Sequence, residues 1–213
     1  MICKVVAERS LKEASKKLQG FCEWRLDFLD ELNFKEIKRI VLEKKLILTL
    51  RPEWSGGRFK DEEKRIEYLK KIIELTPFYV DLELETENIE TLTELARKCN
   101  VKFILSYHDF KKTPSLEKLH LTLRKSQEFM PSITKIVAMA NSLEDNLKIL
   151  KFNLEAESKI VSFCMGEFGK LSRIFCPFFG SEFTYAGEIA PGQLSFESLE
   201  KIFEILGDFH DRL

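Results

Sequence analysis

Ser132-Ile133-Thr134-Lys135-Ile136-Val137-Ala138-Met139-Ala140 is a short apolar run of strand character with one lysine near its centre. Strands buried on both faces of a parallel sheet read as nearly continuous Val/Ile/Leu runs, so this stretch predicts an interior strand of an α/β fold. The lysine is the anomaly. An ammonium taken out of water without a partner is costly and tends to lose its proton, and a neutral lysine amine is a nucleophile for carbonyls. An edge or snorkelling lysine is the plainer explanation, and this stretch alone does not decide between the two.

Outward from it, the same period recurs. Strand candidates are Ile2–Ala7, Phe21–Leu26, Leu46–Leu50, Phe78–Leu84, Lys102–Tyr107, Ile133–Ala138, Lys159–Cys164 and Glu182–Ala186. Helix-period stretches lie between and after them: Ser10–Leu18, Phe34–Val41, Asp61–Leu75, Ile89–Lys98, Ser115–Glu128, Leu143–Phe152, a short one near Leu171–Phe175, and Phe196–Leu206. Thr113-Pro114-Ser115 with Glu117, and Ser195 with Glu197 and Ser198, are helix start signals. Strands alternating with helices imply right-handed crossovers and a parallel sheet, and eight such units predict a single-domain (β/α)8 TIM barrel over residues 1–213. A doubly wound dinucleotide fold lacks its G-x-G-x-x-G after the first strand.

Composition narrows the function classes. With 44% hydrophobic residues the chain can bury a sizeable core, and 34 basic against 35 acidic residues leave no basic footprint for nucleic acid or an anionic membrane surface. No apolar run has the length of a membrane span, and Met1-Ile2-Cys3-Lys4-Val5-Val6 enters a strand without a signal-peptide layout, so a cytoplasmic protein is expected. Five scattered cysteines (Cys3, Cys22, Cys99, Cys164, Cys176) without a C-x-x-C pair predict reduced, mostly buried thiols and no zinc site. The three histidines (His108, His120, His210) show no metal-ligand spacing, so no metal is expected.

In a barrel the chemistry sits at the carboxyl ends of the strands. The residues found there are Glu23 and Arg25; Arg51, Glu53 and the Gly56-Gly57 turn; Asp81 and Glu83; His108 and Asp109; Lys135; Met165; and Ala190-Pro191-Gly192-Gln193, most of them charged or polar where the strands end. Strand alternation puts Glu23 with Arg25, and Asp81 with Glu83, on common faces. A desolvated lysine near cations such as Arg25 or Arg51 is partly neutral near pH 7 and condenses with a ketone; the imine acidifies the adjacent carbon, and an imidazole, with an ordinary pKa near ~6.5, can move that proton. Each residue also has a structural reading: Glu23 with Arg25 as an ion pair, His108 as a turn residue, Arg51 as a loop charge, and His120 and His210 as surface residues. Their joint placement at strand ends favours chemistry.

These residues resemble the type I 3-dehydroquinate dehydratases. The likeness covers nearly the whole chain: Glu23-Trp24-Arg25-Leu26-Asp27; Thr49-Leu50-Arg51 with Gly56-Gly57; Ser106-Tyr107-His108-Asp109-Phe110; Lys135-Ile136-Val137-Ala138-Met139 with Asp145; and Met165-Gly166 through Gly169, Ser172-Arg173, Phe179-Gly180-Ser181, Thr184 and Ala190-Pro191-Gly192-Gln193. The resemblance implies a cofactor-free lyase of the shikimate pathway that dehydrates 3-dehydroquinate to 3-dehydroshikimate, acting as a homodimer. It implies Lys135 as Schiff-base former and His108 as acid and base. Arg173 would hold the carboxylate, with Glu23, Arg25, Arg51 and Gln193 on the ring hydroxyls. Asp81, Glu53, Met165 and Tyr185 would support them, Asp81 by helping to orient the histidine. The chain departs from the pattern at three points. Ser55 stands where a glutamate supporting the histidine is usual, with Glu53 as a nearby substitute. Ile189 replaces a substrate-contacting serine in a shortened last loop, and Tyr185 replaces phenylalanine. Another imine-forming barrel, such as a class I aldolase, and a non-catalytic barrel binding a hydroxylated carboxylic acid are the competing readings.

Overall fold

A computed structural model describes residues Met1–Gly207. Strands and helices alternate through them as β1 (Ile2–Val6), α1 (Leu11–Lys17), β2 (Cys22–Arg25), α2 (Phe34–Val41), β3 (Leu46–Thr49), α3 (Glu62–Glu74), β4 (Tyr79–Glu83), α4 (Ile89–Lys98), β5 (Lys102–Asp109), α5 (Leu116–Gln127), β6 (Ile133–Met139), α6 (Glu144–Glu155), β7 (Ile160–Met165), α7 (Lys170–Phe175), β8 (Thr184–Ala186) and α8 (Phe196–Leu206). The sheet order is β7-β6-β5-β4-β3-β2-β1-β8. Ile160 of β7 makes a parallel bridge to Ser181, just ahead of β8, and its carbonyl accepts the Glu182 N–H at 2.9 Å. Parallel strands in that order, each followed by a helix, are the (β/α)8 barrel topology the sequence period predicts.

Most strand boundaries shift by one or two residues, and two of the shifts have an identifiable physical cause. β5 continues to Asp109, so His108 is a strand residue rather than the start of a turn. β8 begins only at Thr184, because the two residues expected to open it are otherwise engaged: Glu182 bonds to Ile160, and the Phe183 carbonyl accepts the Ser181 hydroxyl at 2.9 Å. Short 3-10 turns at 26–28, 53–55, 167–169 and 176–179, which period alone does not reveal, fill the connections after β2, β3, β7 and α7.

Contacts divide the chain into two compact units. The first comprises Val5–Ser106 with Phe129–Ser132. Its β2, β3 and β4 are buried throughout except at Tyr79, and Trp24, Leu48 and Val80 stand in register across them. A fully buried aliphatic side chain such as Leu48 or Val80 contributes about 1.5–3 kcal/mol, so this row adds substantially to the unit's stability. Its α2 and α3 begin at side-chain caps: Asn33 accepts the Glu36 N–H and Asp61 the Lys64 N–H, each satisfying a donor the helix leaves open. Behind those caps α2 buries Ile37 and Val41, and α3 buries Leu69, Ile72 and Ile73, the spacing of one helical face.

The second unit comprises Met1–Lys4, Tyr107–Glu128 and the chain from Ile133 onward. Here β6 and β7 pair over six positions, from Thr134↔Ile160 to Met139↔Met165, and β1 pairs β8 from Ile2↔Thr184 to Lys4↔Ala186. Ser115 caps α5 through the Lys118 N–H and Ser195 caps α8 through the Ser198 N–H, as the start signals predict. All five cysteines are free thiols, and four are buried while Cys99 is half-buried. Burial pushes the Cys164 thiol up and the Cys176 thiol up to about 12, so neither is a thiolate nucleophile at neutral pH. Among the described residues no helix is long and apolar enough to cross a membrane.

Leu48, with no exposed surface in the middle of β3, tests the first unit's core. Leu48→Ala should lower the unfolding free energy by about 2–5 kcal/mol in urea denaturation, the usual cost of a cavity at a close-packed leucine. A loss below about 1 kcal/mol would contradict close packing there.

Candidate active site

In the first unit a guanidinium is surrounded by carboxylates. Arg51, 4% exposed, lies two residues past the end of β3; its Nη2 lies 3.1 Å from Asp81 Oδ1 and 3.6 Å from Glu23 Oε1, and its Nη1 donates to Glu83 Oε1. Each acid also takes a hydroxyl, from Thr49 to Glu23, Ser106 to Asp81 and Ser55 to Glu83, all at 2.8 Å. Register explains the convergence, since Thr49 pairs with Asp81 and Glu83 with Ser106. Burial alone works against the charge on Arg51, but Asp81, Glu83, Glu23 and Asp27 outweigh it and hold the guanidinium above its ordinary value. The turn into this cluster depends on Gly57, where a Cβ would lie 2.1 Å from the Arg51 carbonyl oxygen.

Arg25 is arranged differently from its sequence expectation. Its Nε and Nη2 both donate to Asp27 at 2.8 Å, because the 3-10 turn from Leu26 folds that carboxylate back over the strand end. The ion pair considered between Glu23 and Arg25 is therefore replaced by Arg25 with Asp27 and by Glu23 with Arg51. Glu53 is on the outside, its side chain 63% exposed and 3.7 Å from Lys60. The residue that reaches the buried cluster from that turn is Ser55, 3% exposed.

In the second unit Lys135 is 4% exposed on β6, whose other residues are apolar apart from Thr134, and its Nζ sits 4.5 Å from the centroid of the Tyr185 ring. Phe163 and Phe183 meet Tyr185 edge-on at 6.1 and 5.3 Å, so the ammonium faces an aromatic wall that interacts favourably with a cation. Arg173 is 2% exposed, with its guanidinium 4.5 Å from the Phe163 ring centroid. Nη2 donates to the Pro191 carbonyl at 3.2 Å, and Nε has no acceptor within hydrogen-bond reach. Burial lowers this guanidinium to about 10, which still leaves it charged at neutral pH. A buried planar fork with an unused donor suits a carboxylate. The local fold places it firmly: the Ser172 N–H donates to Asn146 Oδ1 and the Ser172 hydroxyl to the Gly169 carbonyl, each at 2.9 Å.

His108 lies on β5 with its ring stacked 6.0 Å from Phe110, while Asp109 closes the following turn by accepting the Lys111 and Lys112 N–H groups. Asp145 performs the same service after β6, accepting the Asn141 and Ser142 N–H groups. Met165 is buried at the end of β7. Gln193 closes its own loop, its Oε1 accepting the Ile189 and Ala190 N–H groups at 3.1 and 3.0 Å. His120 sits 3.0 Å from Glu155 and edge-on to Phe152, a structural arrangement, and His210 is outside the described residues. Among the described residues no group of His, Cys, Asp or Glu is arranged to hold a metal ion.

The sequence model of the type I 3-dehydroquinase family matches residues 4–210. The chain belongs to the type I 3-dehydroquinase family. Among relatives in that family, the 3-dehydroquinate dehydratase of Methanocaldococcus jannaschii is 36% identical over 97% of this chain and 99% of its own, and that of Pyrococcus abyssi 36% over 98% and 99%. The type I 3-dehydroquinate dehydratase of Clostridium difficile, solved with covalently modified comenic acid, superposes with a TM-score of 0.87 at 29% identity, covering 100% of this chain and 92% of that one.

Within this type I 3-dehydroquinase, Glu83 and the hydroxyls of Thr49, Ser55 and Ser106 had no assigned role on sequence grounds. The signal for Glu83 was present in Asp81-Leu82-Glu83, because alternation forces both acids to one face. The last loop has an equally tight constraint: the Gly166 N–H donates to the Pro191 carbonyl at 3.0 Å, and a Cβ on Gly192, at φ +70°, would lie 2.1 Å from the Gly166 oxygen. Gly192→Ala should displace the loop, seen as faster protease cleavage between Gly187 and Gln193 and a melting temperature lowered by several degrees. Unchanged protection would show that the loop tolerates the side chain.

Proposed function

We propose that the chain is a lyase that dehydrates 3-dehydroquinate to 3-dehydroshikimate in the shikimate pathway, with the 213 residues working as one catalytic domain. The observation that carries the mechanism is Lys135: a 4%-exposed amine on an apolar strand, against an aromatic wall, in the same unit as a buried arginine with an unused donor. Lys135 Nζ adds to the C3 ketone and water leaves, giving an imine. His108 removes a C2 proton, and the electron pair moves into the imine to give an enamine. The pair then returns to form the C1–C2 double bond as the C1 hydroxyl departs with a proton from His108. Water hydrolyses the imine, freeing product and lysine. Arg173 takes the substrate carboxylate through its planar fork. Glu23, Arg25, Arg51 and Gln193 serve the ring hydroxyls, with Met165 and Tyr185 shaping the apolar side.

Borohydride added with 3-dehydroquinate should fix one ligand mass on Lys135, and an unchanged intact mass would rule the imine out. Lys135→Ala should lose turnover and trapping together. His108→Ala should still trap ligand while turnover falls roughly 10²–10⁴-fold, the range of a general acid–base group; near-native turnover in that variant would remove His108 from its role.

The finer assignments follow the same reading. Five free cysteines, four of them buried, accord with a reducing cytoplasm. A homodimer is supported by the outer face of α6, where Leu147 and Leu154 are 70% and 63% exposed and Leu143, just ahead of the helix, is 59% exposed, with Phe168 nearby in sequence to α7 at 51%. Leu147→Glu should convert dimers to monomers in sedimentation experiments, and a chain that sediments as a monomer before substitution would refute the pairing.

A further inference from the structure

Arg65 is the largest buried charge that the chemistry above leaves unused. It projects from α3, is 1% exposed, and lies wholly within the first unit. Its Nε and Nη2 donate to the two oxygens of Glu62 at 2.7 and 2.5 Å, Nη2 also donates to the Thr86 hydroxyl at 2.9 Å, and Nη1 reaches the Leu50 carbonyl at 3.5 Å. The guanidinium centre is 5.9 Å from the Trp54 ring centroid, and Glu62 accepts from Trp54 Nε1 at 3.4 Å.

These partners belong to two strand ends. Leu50 immediately precedes Arg51, and Trp54 immediately precedes Ser55 in the turn after β3. Thr86 closes the turn after β4, its N–H donating to the Glu83 carbonyl at 3.0 Å. One guanidinium is thus tied to the backbone before Arg51, to the turn carrying Ser55 and to the turn anchored on Glu83. Arg51, Ser55 and Glu83 are themselves joined, since Arg51 and Ser55 donate to the two oxygens of Glu83.

A buried arginine paired to a half-exposed glutamate is a poor way to stabilise a helix, because a hydrophobic side chain of similar volume usually serves as well or better. Its five donors in a fixed fork are suited to fixing the separation of several acceptors. We propose that Arg65 is a positioning residue of the dehydration: it sets the spacing of the turns after β3 and β4, and through them the Arg51–Glu83–Ser55 hydrogen bonds. The inference rests on the reading that Arg51 serves the substrate's ring hydroxyls.

Two variants test it in the full-length protein. Arg65→Lys keeps the charge but loses the fork, and Thr86→Val keeps the shape but removes one hydroxyl. A misplacement of about 1 Å can cost as much as about 100-fold. KM for 3-dehydroquinate should therefore rise about tenfold in Arg65→Lys and about threefold in Thr86→Val. Turnover per active site, counted by borohydride trapping at saturating substrate, should stay within about twofold of the unsubstituted chain. A purely structural role predicts the reverse: fewer trappable sites, lower apparent turnover and an unchanged KM. An unchanged KM in Thr86→Val, or in folded Arg65→Lys, overturns the proposal. If the unsubstituted chain neither dehydrates 3-dehydroquinate nor traps it, the failure belongs to the functional reading instead.

Discussion

The cost of keeping charge out of water governs this molecule. Strands of a parallel barrel are buried on both faces, so every ionisable side chain on them must find an opposite charge, a hydroxyl or an aromatic face. Arg51 is the clearest instance, with Glu23, Asp81 and Glu83 around it and one hydroxyl on each acid. Removing one partner from such a group leaves an uncompensated buried charge, a loss of about 3–5 kcal/mol. These residues are thus bound to one another before any ligand is considered. In the second unit aromatic rings take part as well, Tyr185 beside Lys135 and Phe163 beside Arg173.

The two solutions suit different tasks. A guanidinium clamped by three acids has its orientation fixed, and its acids offer oxygens toward which hydroxyl groups can donate. Arg173, with its guanidinium over the Phe163 ring and Nη2 on the Pro191 carbonyl, keeps one donor, Nε, uncommitted. Preorganised dipoles and charges of this kind do their work without reorganising during a reaction, which is why a scaffold accepts the expense of burying them.

Much of the fold was legible because period-2 runs and helical stripes follow directly from burial, and the expected extents of α2, α4 and α8 agree with the structure residue for residue. Side-chain pairing at strand ends was less legible, because it depends on backbone turns that period does not report. Arg25 shares a strand face with Glu23, yet the 3-10 turn at Leu26 delivers Asp27 to it instead. Glu53 is the acid nearest Arg51 in its loop, but the turn it opens points it outward and brings Ser55 in. Gln193, expected to face a ligand, has its carbonyl oxygen engaged by two amides of its own loop. Lys135 was conspicuous for the opposite reason: one charge in an apolar strand stands out whatever the turns do.

The placement of the thiols gives the chain a built-in gauge of its own integrity. Cys3, Cys22, Cys164 and Cys176 are sealed inside, and only Cys99, at the end of α4, has partial access to solvent. A thiol-reactive dye therefore meets one slow site on a folded molecule and five on an unfolded one. The stoichiometry of labelling counts how many molecules in a preparation are intact, and Cys99 offers a single point of attachment remote in sequence from Lys135, Arg51 and Arg173.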